Sequence, residues 1–385
     1  MTVRHLILQP SEPAQPRAAG SALFALGFRP LYLLAGAYAA LGVPLWALQY
    51  AGVLPGGGPA WHAHEMLFGY AFAVIAGFLL TAVRVWTGRP TPSGAALAVI
   101  AGAWLAARIA APFSLQVASG LDALFAVLVA IGIGRPIVVT RNRNWFFIVL
   151  VAAFGAASVG FTLLSREAIA IGLDLVLFVI TLMAGRVVPG FTNNAVAGAG
   201  ARRIPALEYA ALGSVLALLA LDPLGFETAA AIVALVGAAL HAWRLALWSP
   251  WAARGRPILW ILHASYAWVA VHLALRGLAT FGLAPAVLAT HALTIGAIGG
   301  LTIGMMTRTA RGHTARPLTA GAGEVTAYAL VQLAALVRVL VPIAVPGLYV
   351  ASVVVAAALW SAAFSIFTMV YIPILTRARL DGQPG

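Results

Sequence analysis

Two stretches of this chain place histidine at the head of a long apolar run. The sequence WHAHEM at residues 61–66 carries two histidines and a carboxylate, and it precedes the apolar run 67–83. His291 precedes a second run over residues 292–306. Metal-capable or charged side chains are costly inside a bilayer, so these residues are the first candidates for function.

Two neutral imidazoles at equal depth on facing helices are what a bis-histidine b-type haem needs. His64 and His291 are predicted to lie at the same depth on helices that run in the same direction, so we expect them to ligate haem b. His62 lies about 200° around a regular helix from His64, so the two rings cannot point in the same direction. We therefore expect His62 to belong to a neighbouring site or to an unwound first turn. The alternative is that the histidines only face water at the membrane interface.

Arginines and acids in the same predicted layer have possible roles beside this haem. Arg276 and Arg338 end their apolar runs there and could bind the haem propionates in a bidentate manner. The alternative is that they extend to lipid headgroups. Glu65, Asp122 and Asp174 lie in early helical turns, where the helix dipole favours acids, and a proton or cation role is the competing interpretation.

A second metal, copper, has two candidate positions. On the inner side, His241 and His263 are expected at similar depth on two helices joined by a short loop, with His313 or the methionines at 305–306 as further ligands. On the outer side, His62 is the first candidate ligand. Satisfied core histidines are the alternative for the inner pair.

The composition places the chain among polytopic membrane proteins. It has 385 residues, 62% of them hydrophobic and 9% charged, with a formal net charge of +13. All 23 basic residues are arginines, and they occur singly or in small groups in short loops, which argues against a nucleic-acid-binding face. Cysteine is absent, so thiolate metal sites and disulfides are excluded.

The apolar runs predict an all-α protein of about twelve transmembrane helices, because most runs can cross a hydrocarbon core of about 30 Å. The predicted helices are 24–49, 61–83, 94–111, 117–139, 145–164, 168–188, 206–221, 227–247, 258–281, 286–308, 322–343 and 347–375.

The topology follows from the arginines. If both termini are cytoplasmic, only Arg108, Arg166, Arg276 and Arg338 lie outside, in agreement with the positive-inside rule. We therefore expect a disordered cytoplasmic tail over residues 1–20, one membrane domain over 21–376, and a cytoplasmic C-terminal tail over 377–385.

An internal repeat relates two parts of the chain. A shift of 227 residues superposes Arg29-Pro30 on Arg256-Pro257, His64 on His291, and Arg89-Pro90 on Arg316-Pro317. Helices 1 and 2 therefore look like a copy of helices 9 and 10. Half of this shift leads from Arg29 to Arg143 at the start of helix 5, which suggests three arcs of four helices each.

Five segments resemble the NnrS family in order over essentially the whole chain: FALGFRPLYLLAGAYA, WHAHEMLFGYAFAVIAGFLLTA, GRVVPGFTNN, ILHASYAW and HALTIGAIGGLTIGMMTRTARGHTARPL. The resemblance implies a bacterial inner-membrane protein that contains haem and copper and takes part in denitrification and the response to nitric oxide. The chain departs from the family pattern at Arg84, in AVRVW, where Pro-Asn is expected.

A more distant likeness is to the main subunit of haem-copper oxidases and nitric oxide reductases, which has twelve helices in three arcs with haem between helices 2 and 10. Those proteins hold a second metal with histidines on helices 6 and 7. Here the corresponding helices offer Asp174, Glu208 and Tyr209 but no histidine. The likeness therefore does not extend to the dinuclear centre, which argues against oxygen reduction.

The leading hypothesis is a haem b and copper protein that binds nitric oxide or a related nitrogen species and protects against nitrosative stress. Whether it turns nitric oxide over as an oxidoreductase or only binds it stays open. The alternative is a transporter or assembly factor that handles haem, copper or a small anion, because repeats and intramembrane glycines such as Gly299 and Gly300 suit transport as well.

Overall fold

The computed structural model describes residues 22–165 and 168–383, and within these ranges the protein is built from helices and contains no strand. The predicted order of twelve helices is confirmed. In chain order they are α1 Phe28–Tyr50, α2 Pro59–Thr87, α3 Gly94–Ala110, α4 Leu115–Val139, α5 Phe146–Leu163, α6 Ala168–Ala195, α7 Pro205–Leu221, α8 Glu227–Leu247, α9 Pro257–Thr280, α10 Ala286–His313, α11 Ala322–Ala344 and α12 Tyr349–Thr376.

Ten of the described helices are long and apolar enough to cross a membrane. The other two, α3 and α7, are apolar but have only 17 residues each. At about 1.5 Å per residue such a helix is roughly 26 Å long, slightly less than the hydrocarbon core. The structure therefore supports a multi-pass membrane protein.

Neighbouring helices in the chain pack as antiparallel pairs, most extensively α4 with α5, α8 with α9 and α11 with α12, and α1 packs against α12. Glycines allow close approach where the bundle is tightest. A Cβ atom on Gly296 of α10 would lie 2.3 Å from Cγ of Trp268 on α9. Small residues at helix contacts are typical of membrane bundles, where close van der Waals packing drives association.

Helices α2 and α10 share an irregularity that the sequence did not predict. Each begins as an α-helix and continues as a π-helical segment, Glu65–Ala71 in α2 and Ala292–Gly299 in α10. The two segments start 227 residues apart, at Glu65 and Ala292, which is the offset of the sequence repeat. Such segments often occur at functional sites. The arrangement in three arcs stays a prediction.

The predicted tails are described only in part. Residues 1–20, with their predicted cytoplasmic tail, lie outside the described residues, and so does Arg166. Residues 377–383 follow α12 without forming a helix, and the backbone N–H of Leu380 donates to the carbonyl of Thr314 at 3.2 Å. This C-terminal segment therefore packs against the loop that follows α10.

Candidate haem cavity and buried polar clusters

A cavity of about 330 Å³ lies where α2 and α10 begin, and α1, α6, α11 and α12 complete its wall. His62, His291 and Arg338 line it, together with aromatic side chains such as Trp46 and Trp360. The cavity therefore brings together three of the side chains that the sequence singled out for haem and metal binding.

His62 faces this cavity from the first turn of α2. Its ring stacks on the indole of Trp46, with centroids 3.9 Å apart and an interplanar angle of 17°. Its Nδ1 atom is buried and has no hydrogen-bond partner among the described residues. A buried imidazole nitrogen without a partner is costly, so His62 has the free polar atom expected of a ligand.

His291 faces the same cavity from the last turn before the π-helical segment of α10. Its Nδ1 atom is 2.7 Å from the carbonyl oxygen of Val287, one turn earlier. A carbonyl can only accept, so Nδ1 carries the proton and Nε2 keeps its lone pair. A backbone carbonyl bound in this way commonly orients a metal-ligating histidine.

Arg338 enters the cavity from α11. Its Nη2 group donates to the hydroxyl of Tyr349 at 2.8 Å, and its guanidinium lies 4.7 Å from the centre of the Tyr349 ring. The Nη1 atom is buried and has no hydrogen-bond partner among the described residues. Arg338 thus keeps a donor for an anionic group, as the sequence-based interpretation requires.

His64 points away from this cavity, towards α5. Its Nδ1 atom lies 2.8 Å from Oε1 of Glu65, and its Nε2 atom lies 3.1 Å from the hydroxyl of Ser158 and 3.4 Å from Oδ2 of Asp122. The ring is fully buried. Both nitrogens therefore have partners within the protein, which leaves neither free for haem iron in this arrangement.

Arg108 joins the acids around His64 into one buried cluster. Its guanidinium donates to Oε1 of Glu65 at 2.9 Å and also to Asp122, while Tyr38 donates to Oε2 of Glu65. Arg108, which the sequence analysis assigned only to the outer face, holds the acids of α2 and α4 from α3. We refer to Tyr38, His64, Glu65, Arg108, Asp122 and Ser158 as the acidic cluster.

Arg276 is also engaged elsewhere. Its guanidinium donates to Oδ1 of Asp174 at 2.6 Å and to Asp222, so it connects α9 with α6 and the end of α7. It does not line the cavity that contains His62 and His291. The structure therefore separates Arg276 from Arg338, although the sequence suggested the same role for both.

The two histidines proposed for an inner copper site, His241 and His263, form hydrogen bonds with different residues. His241 Nδ1 lies 2.7 Å from the hydroxyl of Tyr266, and His263 Nε2 lies 2.9 Å from the hydroxyl of Thr192. The second nitrogen of each ring is buried without a partner among the described residues. Across residues 22–165 and 168–383, no group of three or more His, Cys, Asp or Glu side chains could hold a metal ion.

Two comparisons with known proteins bear on the identity of the chain. A search of curated proteins finds no match for the chain. A family model described as NnrS protein matches residues 22–379, which is nearly the whole chain. The sequence-based resemblance is thereby confirmed, and the chain belongs to the NnrS family.

Proposed function

We propose that this protein holds haem b in the cavity between α1, α2, α10 and α11 and binds nitric oxide or a related nitrogen species there. The observation that carries the proposal is that His62, His291 and Arg338 line one cavity. Its volume of about 330 Å³ lies at the low end of the roughly 300–1,000 Å³ range for small-molecule sites, so its lining side chains would have to move apart to enclose a macrocycle as large as haem. Membership of the NnrS family fits a membrane protein of the nitric oxide response.

The donor set suits haem in three respects. His291 offers a lone pair on Nε2 because Val287 holds its Nδ1 proton. Trp46 fixes the plane of the His62 ring by stacking. Arg338 has an unpartnered, buried Nη1 group that could donate to a propionate. We therefore propose His62 and His291 as the haem ligands, in place of the pair His64 and His291 suggested by the sequence.

Bound haem would supply an iron centre that exchanges electrons, and a diatomic nitrogen oxide would bind to it only where one of the two histidines gives up its place. The protein contributes orientation and exclusion of water. The Trp360 indole donates to the carbonyl of Ala39 at 3.0 Å, which ties the wall formed by α12 to α1. Apolar and aromatic side chains such as Val353 and Ile295 form much of the remaining wall and keep a bound small molecule away from bulk solvent.

Copper fits the described residues less completely than haem does. A copper ion would have to be held by one or two histidines, because the described residues contain no group of three His, Cys, Asp or Glu side chains that could bind it. The two candidates are the inner pair His241 and His263 and the outer position at His62. We assign no step to copper. The test is to measure the copper content of two proteins, the double variant His241→Ala, His263→Ala and the single variant His62→Ala. The variant that loses copper identifies the position that binds it.

We further propose that the protein lies in the bacterial inner membrane with both termini in the cytoplasm. The support is the arginine distribution, since this orientation leaves only Arg276, Arg338 and Arg108 outside among the described residues. The cavity would then open near the outer face, and the lipid bilayer would surround the bundle. Insertion of a reporter after residue 383 tests the orientation: a cytoplasmic reporter is expected, and an external one contradicts it.

The direct test of haem binding is an optical spectrum and haem analysis of the purified protein. Stoichiometric haem b that binds nitric oxide supports the proposal. A folded protein that remains empty after expression with sufficient haem would contradict it and favour the transporter or assembly-factor alternative.

Arg338→Leu tests the proposed propionate contact. A hydrogen bond to a charged group contributes about 1.5–3 kcal/mol, so the variant should release haem to a soluble haem-binding acceptor roughly 10–100-fold faster than the parent protein. Arg254→Leu is the matched control, because Arg254 is exposed on the loop before α9. Equal release rates for Arg338→Leu and Arg254→Leu would remove Arg338 from the site.

A further inference from the structure

A second cavity, of about 110 Å³, lies further along α2, α6 and α10. Its wall is almost entirely aliphatic, aromatic and thioether, and it includes Val74, Val179, Ala184, Leu301 and Met305. Of the residues that the sequence suggested for haem or copper, only Met305 lines this cavity. We call it the apolar cavity, to distinguish it from the haem cavity described above.

The two cavities lie on the same face of each helix. On α2 the lining residues follow one another at intervals of four, with His62, Met66 and Tyr70 at the haem cavity and then Val74 and Phe78 at the apolar cavity. Residues four apart lie one above another on a helix. The apolar cavity is therefore the continuation of the haem cavity towards the middle of α2.

Helix α10 shows the same continuity. His291, Thr294 and Ile298 line the haem cavity, and Ile298 also lines the apolar cavity, followed by Leu301 and Met305. Helix α6 contributes to both cavities in the same order. A single side-chain layer around Ile298 thus separates the two spaces.

The boundary layer also contains a hydrogen bond between the two repeated helices. The hydroxyls of Tyr70 on α2 and Thr302 on α10 lie 2.5 Å apart. Thr302 donates to the carbonyl of Ile298 at 2.7 Å, so Tyr70 donates to Thr302. The hydroxyl of Thr302, which lines the apolar cavity, therefore already donates one hydrogen bond and accepts another within the protein.

We propose that the apolar cavity binds a small apolar gas molecule and delivers nitric oxide to the haem cavity through the layer at Ile298. The delivery role rests on the proposed haem function, whereas gas binding does not. A water molecule needs two to four polar partners, which this almost wholly apolar wall does not offer, whereas an apolar space can accept a guest such as xenon. Nitric oxide is small, uncharged and weakly polar, so it suits such a wall.

Xenon is the probe for the first part of the proposal. In crystals pressurised with xenon, we expect a bound atom between α2, α6 and α10 in the parent protein. Val179→Phe, at a position 8% exposed, should fill the space and abolish xenon binding, while Val127→Phe on α4, at a position 54% exposed, should not. Ala184→Leu provides a second filling variant if Val179→Phe fails to fold.

The xenon experiment requires no haem, so its failure is distinguishable from failure of the haem proposal. Absence of xenon in the parent protein, or ordered lipid or detergent chain in its place, would overturn the gas site. The delivery role is tested with carbon monoxide on haem-loaded protein after flash photolysis. The filling variants should slow the association of carbon monoxide with haem about tenfold relative to Val127→Phe. If a filling variant excludes xenon but leaves this association rate unchanged, the delivery role is wrong. A protein that carries no haem would also overturn the delivery role.

Discussion

Purified His62→Ala and His291→Ala proteins are expected to lack the low-spin haem spectrum of the parent, whereas His64→Ala should retain it. The reason is the placement of the rings: His62 and His291 line the haem cavity, while both nitrogens of His64 are bonded within the acidic cluster. Each variant would lack one of the two proposed haem ligands, so the expected change is loss of most of the bound haem or conversion to a high-spin spectrum.

Imidazole in the buffer provides a control for this series. It should restore the low-spin spectrum of His62→Ala and His291→Ala, because each variant leaves space for a free ring in the cavity. If His64→Ala is too unstable to purify, His64→Gln keeps hydrogen-bonding groups in the acidic cluster and serves the same purpose. A series in which His64→Gln loses haem while His62→Ala keeps it would restore His64 as the ligand.

Arg108→Met is expected to destabilise the protein more than other single changes outside the haem cavity. Arg108 is buried, and its guanidinium contacts both Glu65 and Asp122, which are themselves buried. Removal of one partner from a buried ion pair leaves an uncompensated charge and costs about 3–5 kcal/mol. The same change leaves two carboxylates near His64 without the arginine that separates them.

The measurement is reversible unfolding in mixed detergent micelles, followed by tryptophan fluorescence. Arg254→Met is the matched control, because Arg254 is exposed and its loss should change the free energy of unfolding by less than about 1 kcal/mol. Asp122→Asn combined with Arg108→Met should recover part of the loss, since it removes one of the unpaired acids. Equal stability of the Arg108→Met and Arg254→Met proteins would show that the cluster does not stabilise the bundle.

The class of protein and the order of its helices could both be predicted from the sequence alone. Backbone hydrogen bonds in a membrane can be satisfied only in helices or closed barrels, and apolar runs of about 20 residues have the length of a spanning helix, not of a spanning strand. That local rule is why the twelve predicted helices agree with the structure within a few residues at most ends. The family could also be predicted from the sequence, because the resemblance depends on motifs that occur in order along the chain.

The partners of each histidine could not be predicted from the sequence, because they depend on how the helices pack. His62 and His64 are two residues apart in the sequence and point to different sides of α2, so the rotation of α2 about its axis decides which of them faces the haem cavity and which faces the acidic cluster. The repeat that pairs His64 with His291 contains no information about that rotation. The rotation depends on packing against α1, α5 and α10 and on the π-helical segment that follows His64. Charge pairing has the same origin, because Arg108 and Arg276 find their acids on other helices, at sequence separations that no local pattern encodes.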